Sequence, residues 1–298
     1  MNRIKEIKHN LKISKYLTPN KYIYSDLTKY TIVREIKTIS RRLFLQTYRR
    51  PSSIIISILQ PLLWLTLFGA LFQNAPINLF NGYNIKYREF LNPGIMIFTA
   101  FNSSLNAGLS IIFDREFGFL NRIITSPLID KNSIIYSCII HTWAITLLQI
   151  IAITIFNTCH SEQIIQLDQL ITTIIISTII IINISVISIC NAFILPGHIE
   201  FIALTALLIN LPTLFASTAL APLSFMPYWL QIIVCINPLT YAIEIIRQSN
   251  ISGIWLQNNK IINTIWFQIH LRESLAILLL INTLSFILIK KIIKYKYD

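Results

Sequence analysis

Six stretches of this chain are long, apolar and nearly free of charge, which leaves it few possible folds. They lie at about 52–72, 92–113, 134–156, 170–195, 199–220 and 274–292. Each is close to the roughly 20 residues that a bilayer's hydrocarbon core demands of a helix. The chain is 54% hydrophobic and only 13% charged, about half the charged share of a typical soluble domain. Backbone in lipid has no water to bond to, so spans of this length must satisfy themselves as helices. That rule decides the fourth stretch, an Ile- and Thr-rich run whose propensity alone would suit a buried strand. The expected fold is an all-α integral membrane protein with six transmembrane helices.

The net charge of +12 is placed by the same logic. Residues 1–51 carry 13 Lys and Arg against Glu6, Asp26 and Glu35, and residues 290–298 add four lysines against Asp298. The excess therefore flanks the first and last spans, as the positive-inside rule requires of segments held on the inner side. An even number of spans returns both ends to that side. No nucleic-acid partner is needed to explain the charge, and anionic lipid headgroups are its natural counterpart. The first apolar run begins near Ser52, too late for a cleavable signal peptide. A palette rich in Ile, Asn, Lys, Tyr and Phe points to an AT-rich genome such as an organelle's. Cys138, Cys159, Cys190 and Cys235 lie far apart, without metal or disulfide spacing, and read as packing residues.

Between the tail at 1–28 and the first span, Ile32, Ile36, Ile39 and Leu43 recur at helical spacing. Arg34, Lys37 and Arg41 occupy another face, and with Arg42 they supply cations for the headgroups of an inner interface. The expectation is an amphipathic interfacial helix over Lys29–Arg50, or else an ordinary helix packed on a neighbour. Pro61 predicts a kink in the first span, Asn92-Pro93-Gly94 an entry into the second, and Pro196-Gly197-His198 a turn before the fifth. Residues 221–270 are too apolar for a free loop and are cut by Pro222, Pro227 and Pro238. They predict two short re-entrant helices on the outer side, broken near Asn237-Pro238, with a seventh span as the rival topology.

Chemistry within the chain is excluded class by class. None of the seven glycines starts a phosphate-cradling G-x-x-x-x-G-K-[ST] run. The five histidines lie on separate segments without H-E-x-x-H spacing, and there is no G-x-S-x-G elbow. No catalytic, cofactor or metal residues are expected. Two other assemblies stand out. In 114–127, Phe117, Leu120 and Ile124 fall on one helical face. Asp114 and Arg115 stand at the membrane exit, with Glu116 and Arg122 on the polar side. Such an element can seat its apolar face in a partner's groove while its charges set orientation, or it is a plain solvated link between spans. The other assembly joins Tyr228 and Trp229, which suit a membrane interface, to Glu244 and Arg247, which are three apart on one helix and able to pair.

These segments carry a specific resemblance. Asp114, Arg115, Glu116, Gly118, Leu120, Arg122, Ser126 and Pro127 match a D-R-E-x-G-x-L-x-R-x-x-x-S-P run after the second span. Pro238, Leu239, Tyr241 and Arg247 match a late P-[LIMFT]-x-[HRSY]-x5-[RQ] pattern, with Met226-Pro227 at the corresponding distance before it. On these motifs the chain resembles a permease of the type-2 ATP-binding-cassette exporter (ABC-2) family over about 30–293. Its composition is similar to that of the plastid-encoded members of red algae. The resemblance implies a membrane domain over 29–293, a basic tail at 294–298 and a permease subunit working as a homodimer. It also implies a separate P-loop ATPase that binds ATP and Mg, while this chain itself is no enzyme. Residues 114–127 would be the ATPase-coupling helix, with the Lys29–Arg50 helix beside it. Pro227, Pro238, Leu239, Tyr241, Glu244 and Arg247 would belong to an outer gate. The location implied is a plastid membrane, otherwise a bacterial-type inner membrane. An ion-coupled secondary transporter and a non-transporting assembly scaffold remain as alternatives, although the main spans place no carboxylate at mid-depth for an ion relay. The substrate is not selected by any residue.

Overall fold

The computed structural model describes residues 24–73, 86–125, 132–160, 166–194, 199–252, 260–263 and 268–297. Among them the chain forms eleven α-helices and one short strand pair. Helix α1 (Tyr24–Tyr48) leads into α2 (Pro51–Leu71), and α3 (Tyr87–Leu105) is followed by α4 (Leu109–Glu116) and α5 (Phe119–Thr125). Then come α6 (Asn132–His160), α7 (Leu167–Ile194) and α8 (Ile199–Phe215). After these stand α9 (Tyr228–Ile236), α10 (Pro238–Ser252) and α11 (Leu271–Tyr297). Five helical rods are long and apolar enough to cross a bilayer: α2, α3 with α4, α6, α7 and the first part of α11. The bent pair α9 and α10 raises that to as many as six.

Several boundaries differ from expectation. The second rod starts at Tyr87 and runs 30 residues to Glu116, so Asn92, Pro93 and Gly94 lie buried inside α3 and do not form its entry. A 3-10 turn at Asn106–Gly108 interrupts it. The side chain of Ser188 on α7 mends that break, its Oγ accepting from the Gly108 N–H at 3.0 Å and donating to the Leu105 carbonyl at 2.5 Å. The expected fifth span stops at Phe215 after 17 residues, because the chain there turns under side-chain control. Asn237 Nδ2 donates to the carbonyls of Ala216 at 2.7 Å and Thr213 at 3.2 Å, and Ser217 Oγ donates to the Leu214 carbonyl at 2.7 Å. The all-helical expectation also omitted an antiparallel strand pair, Lys260–Asn263 with Gln268–His270. The turn expected at Pro196-Gly197-His198 lies outside the described residues, as does the tail before Tyr24.

The Ile- and Thr-rich run is a helix, and its hydroxyls show how it lives without water. Thr172, Thr173 and Thr178 each donate to the carbonyl four residues back, at 2.8, 2.8 and 2.7 Å. Thr99, Thr142, Thr146 and Thr154 do the same on α3 and α6. Helix α7 is the central post, with Ile176, Ile180, Ile181 and Ile189 fully buried. One core joins it to α3, α9, α10 and α11 through Ile97, Ile180, Val234, Ile246 and Leu278. A second joins α1, α4, α5, α6 and α7 through Leu43, Ile112, Leu120, Ile135 and Ile189. Helix α1 lies along α6, where Ser137 Oγ donates to the Ile36 carbonyl at 3.1 Å and Ser133 Oγ to Glu35 at 3.1 Å.

Close backbone approach fixes the crossing at Gly94. A Cβ on Gly94 would sit 2.5 Å from the Ala219 carbonyl oxygen and 2.7 Å from its Cα. Backbone cannot move aside as a flexible side chain can, so overpacking there is costly. At Gly69 the nearest atom is 3.6 Å away, on the Arg88 side chain. Gly94→Ala is therefore expected to lower unfolding free energy by about 1–3 kcal/mol, while Gly69→Ala is neutral or mildly stabilising. Thermal unfolding of the two variants in one detergent checks the contrast, and equal midpoints would refute it.

Candidate functional site

Two arginine-centred nodes hold the residues that the sequence singles out, one at each end of the α3–α4 rod. At the α4 end the helix stops because Gly118 adopts φ +70°, a left-handed conformation that glycine takes without a Cβ penalty. The Phe117 N–H bonds the Phe113 carbonyl at 3.0 Å and the Gly118 N–H bonds that of Arg115 at 3.1 Å, closing the last turn. The chain then re-enters a helix as α5. Nothing lies within 4 Å of a Cβ built on Gly118, so the demand there is conformational and not steric.

This reversal is tied to its surroundings at three points. Asp114 forms an ion pair with Arg42 of α1, in which Nη1 donates to Oδ1 at 3.2 Å and Nη2 bonds Oδ2. The same guanidinium lies 4.5 Å from the centroid of the Phe119 ring at the start of α5. Arg115 Nη1 donates to the Ala192 carbonyl of α7 at 3.0 Å. Leu120 of α5 is 4% exposed in the core shared with α1, α6 and α7. Glu116, Phe117, Gly118, Phe119, Asn121 and Arg122 face outward. The expectation that Phe117 and Leu120 share one apolar face is therefore corrected. The break at Gly118 puts them on different helical segments, with Leu120 inside and Phe117 80% exposed and stacked on Phe113. Pro127 and Ser126 lie outside the described residues.

Helix α1 begins at Tyr24, five residues ahead of the expected start. Arg34, Lys37 and Arg41 are exposed, whereas Leu43 is buried and Ile32, Ile36 and Ile39 are partly so. Arg42 departs from the other cations by turning inward to Asp114. Spacing alone could not reveal that pairing, because the partners are 72 residues apart.

At the α3 end, Arg247 of α10 is 3% exposed. It pairs with Glu244, one turn earlier, as expected. It also donates from Nη2 to the Thr218 carbonyl at 2.7 Å, and from Nη2 and Nε to the Phe90 carbonyl at 3.3 and 3.4 Å. Its guanidinium carbon lies 3.7 Å from the Phe90 ring centroid. A buried cation needs this degree of compensation. Helices α9 and α10 meet at 87°, and the side chains of Asn237, Thr240 and Tyr241 at the bend are each bonded. Leu239 N–H donates to Asn237 Oδ1 at 3.0 Å, Thr240 Oγ1 to the Val234 carbonyl at 2.7 Å and Tyr241 Oη to the Cys235 carbonyl at 2.6 Å. Pro227 and Pro238 each stand at the start of a helix, where a missing N–H costs nothing. Tyr87, which the sequence reading passed over, closes the node by donating to the Leu220 carbonyl at 3.0 Å.

Between the nodes a cavity of about 910 Å³ opens among α1, α2, α3, α4 and α6. Arg49 and Arg50 stand at one end and Trp64 and Phe98, stacked at 5.9 Å, at the other. Asp114 borders it, so the α1–α4 ion pair forms part of its wall.

A double-mutant cycle on Arg42→Ala and Asp114→Ala is expected to give a coupling of about 1–3 kcal/mol in thermal stability. A coupling within error of zero would show that the pair does not tie α1 to the reversal.

Comparison with known proteins matches the observed architecture. A family profile described as "ABC-2 type transporter" matches residues 34–250. A protein of Porphyra purpurea named "Putative transport permease ycf38" is 43% identical over 96% of this chain and 96% of its own length. Proteins with the same name from Cyanophora paradoxa and Pyropia yezoensis are 45% and 41% identical, over 96% and 93% of this chain and 97% and 95% of their own lengths. The relatives belong to plastid genomes of red algae and a glaucophyte, which bears out the plastid membrane location that the resemblance implies. With its apolar spans and this family match, the chain belongs to the ABC-2 type transporter family and is a multi-pass membrane permease.

Proposed function

We propose that this permease is one half of an ATP-driven exporter, paired with a second copy of itself and served by a separate P-loop ATPase that holds ATP and Mg. The observation that carries the reading is the anchored reversal at Glu116–Gly118. It presents Glu116, Phe117 and Arg122 outward on a support locked to α1, α7 and the core. A surface that must transmit force needs exposed contact residues on a rigid base, and a plain link between spans has no use for three tethers.

In this reading the 114–127 segment is the coupling element, α1 the interfacial helix beside it, and α9–α10 an outer gate that enters and leaves the membrane from one side. Helix α8 is the fifth of six spans. The 87° bend, with the Leu239 N–H and the Thr240 and Tyr241 hydroxyls bonded within it, supports a re-entrant hairpin. A homodimer is supported by α2, of which only 6% of the apolar window is buried within the chain. Ile55, Leu59, Leu63 and Leu67 face outward along it. ATP binding would draw the two coupling elements together and shift the membrane dimer between its inward and outward states.

The test exchanges the presented charges. Glu116→Ala with Arg122→Ala is expected to reduce co-purification of the ATPase by tenfold or more while membrane insertion and thermal stability stay at the native level. Native-like recovery of the complex would remove the coupling role from this surface.

A further inference from the structure

The 910 Å³ cavity has a chemistry that selects a class of cargo. Its volume lies in the range of small-molecule sites. Along α2 it reaches from Arg50 to Trp64, a rise of about 21 Å at 1.5 Å per residue. Its mean cross-section is thus roughly 40 Å², suited to an elongated body and too narrow for a globular one.

Charge is confined to one end. Arg49 and Arg50 line the mouth and are exposed. The other charged wall residue, Asp114, is neutralised by Arg42, and His141 is engaged with Thr47 at 2.7 Å. The mouth therefore carries two exposed cations with no acidic partner among the described residues. Beyond them the wall is largely apolar, with Trp64, Ile95 and Phe98, and it also carries Gln60, Thr99, Asn102 and Ser103. Gln149 of α6 lines it as well, is 3% exposed, and its Oε1 has no hydrogen-bond partner among the described residues. A buried acceptor left unmade is costly, and a ligand bearing an O–H or N–H would relieve it.

We infer that the cavity binds an elongated anionic amphiphile, its anionic end at Arg49 and Arg50 and a hydrogen-bond donor near its far end at Gln149. The inference rests on the permease reading, since it names the cargo class of that path. Binding requires neither the ATPase nor transport, so the two can fail separately.

Labelled ω-hydroxypalmitate is the probe, bound to the full chain in nanodiscs of a zwitterionic lipid, with empty nanodiscs as the blank. Palmitate lacks the far donor, and cetyltrimethylammonium inverts the head charge. Saturable binding of one probe per chain is expected, with ω-hydroxypalmitate about tenfold tighter than palmitate and no saturable binding of the cation. Arg49→Ala with Arg50→Ala should weaken both anions tenfold or more. Gln149→Leu removes the carboxamide whose Oε1 has no partner among the described residues, so it should keep native thermal stability and palmitate binding while erasing the advantage of the hydroxyl. Gln149→Met serves as a second variant of the same kind. Ser57→Trp, which fills the cavity beside α2, should abolish binding.

Several results would overturn the proposal. Equal binding of the cation would remove the charge argument, and a hydroxyl advantage that survives both Gln149 variants would remove the donor contact. Binding that survives Ser57→Trp but falls with the arginines would show that Arg49 and Arg50 hold only lipid headgroups at the surface. Partition equal to that of empty nanodiscs would mean there is no site.

Discussion

A guanidinium that cannot reach water organises one end of this molecule. Arg247 is buried beside apolar helices, where an uncompensated charge costs several kcal/mol. The chain meets that cost by bringing three segments to it: Glu244 on its own helix, the Phe90 carbonyl and ring on α3, and the Thr218 carbonyl in the turn after α8. Once those are in place, the close approach of Ala219 to Gly94 and the capping of Ala216 and Thr213 by Asn237 follow from the same convergence. Helix α8 stops where it does, and α9 and α10 meet at a right angle, because this cluster leaves no other course for the chain.

The second node works by the same physics at the other end of the same rod. Arg42 answers Asp114, and Arg115 answers the Ala192 carbonyl near the end of α7. Helices α3 and α4 thus form one 30-residue rod clamped near Phe90 and again near Asp114. The 3-10 turn that interrupts it at Asn106–Gly108 is bridged by Ser188. In the proposed coupling, a rod clamped at both ends and braced in the middle would give displacement at the Gly118 reversal a physical route to the α9–α10 bend. The cavity lies alongside this rod and shares Asp114 with the first clamp.

Much of the architecture was legible in the chain. Long uncharged runs admit only helices in lipid, so α2, α6, α7 and α11 stand within a few residues of where hydropathy puts them. The Glu244–Arg247 pair was readable because helical spacing places i and i+3 together. Boundaries set by distant contacts were not. Nothing near Phe215 announces the end of α8, since the side chain that caps the turn is Asn237, more than twenty residues on. Phe117 and Leu120 look like one face on a continuous helix and cease to be so once Gly118 turns left-handed. Arg42 counted with the interfacial cations because a linear pattern cannot show that its face meets α4.

The sequence by itself determined that this chain lies in a membrane as helices and which two segments carry the family's signature, because hydropathy and motif spacing are local properties. Only the tertiary structure decided that each signature closes around a buried or half-buried arginine and that Gln149 is left with an unmet acceptor beside a cavity. Those outcomes depend on which carbonyls and carboxylates arrive from elsewhere in the chain, and helix packing alone sets that.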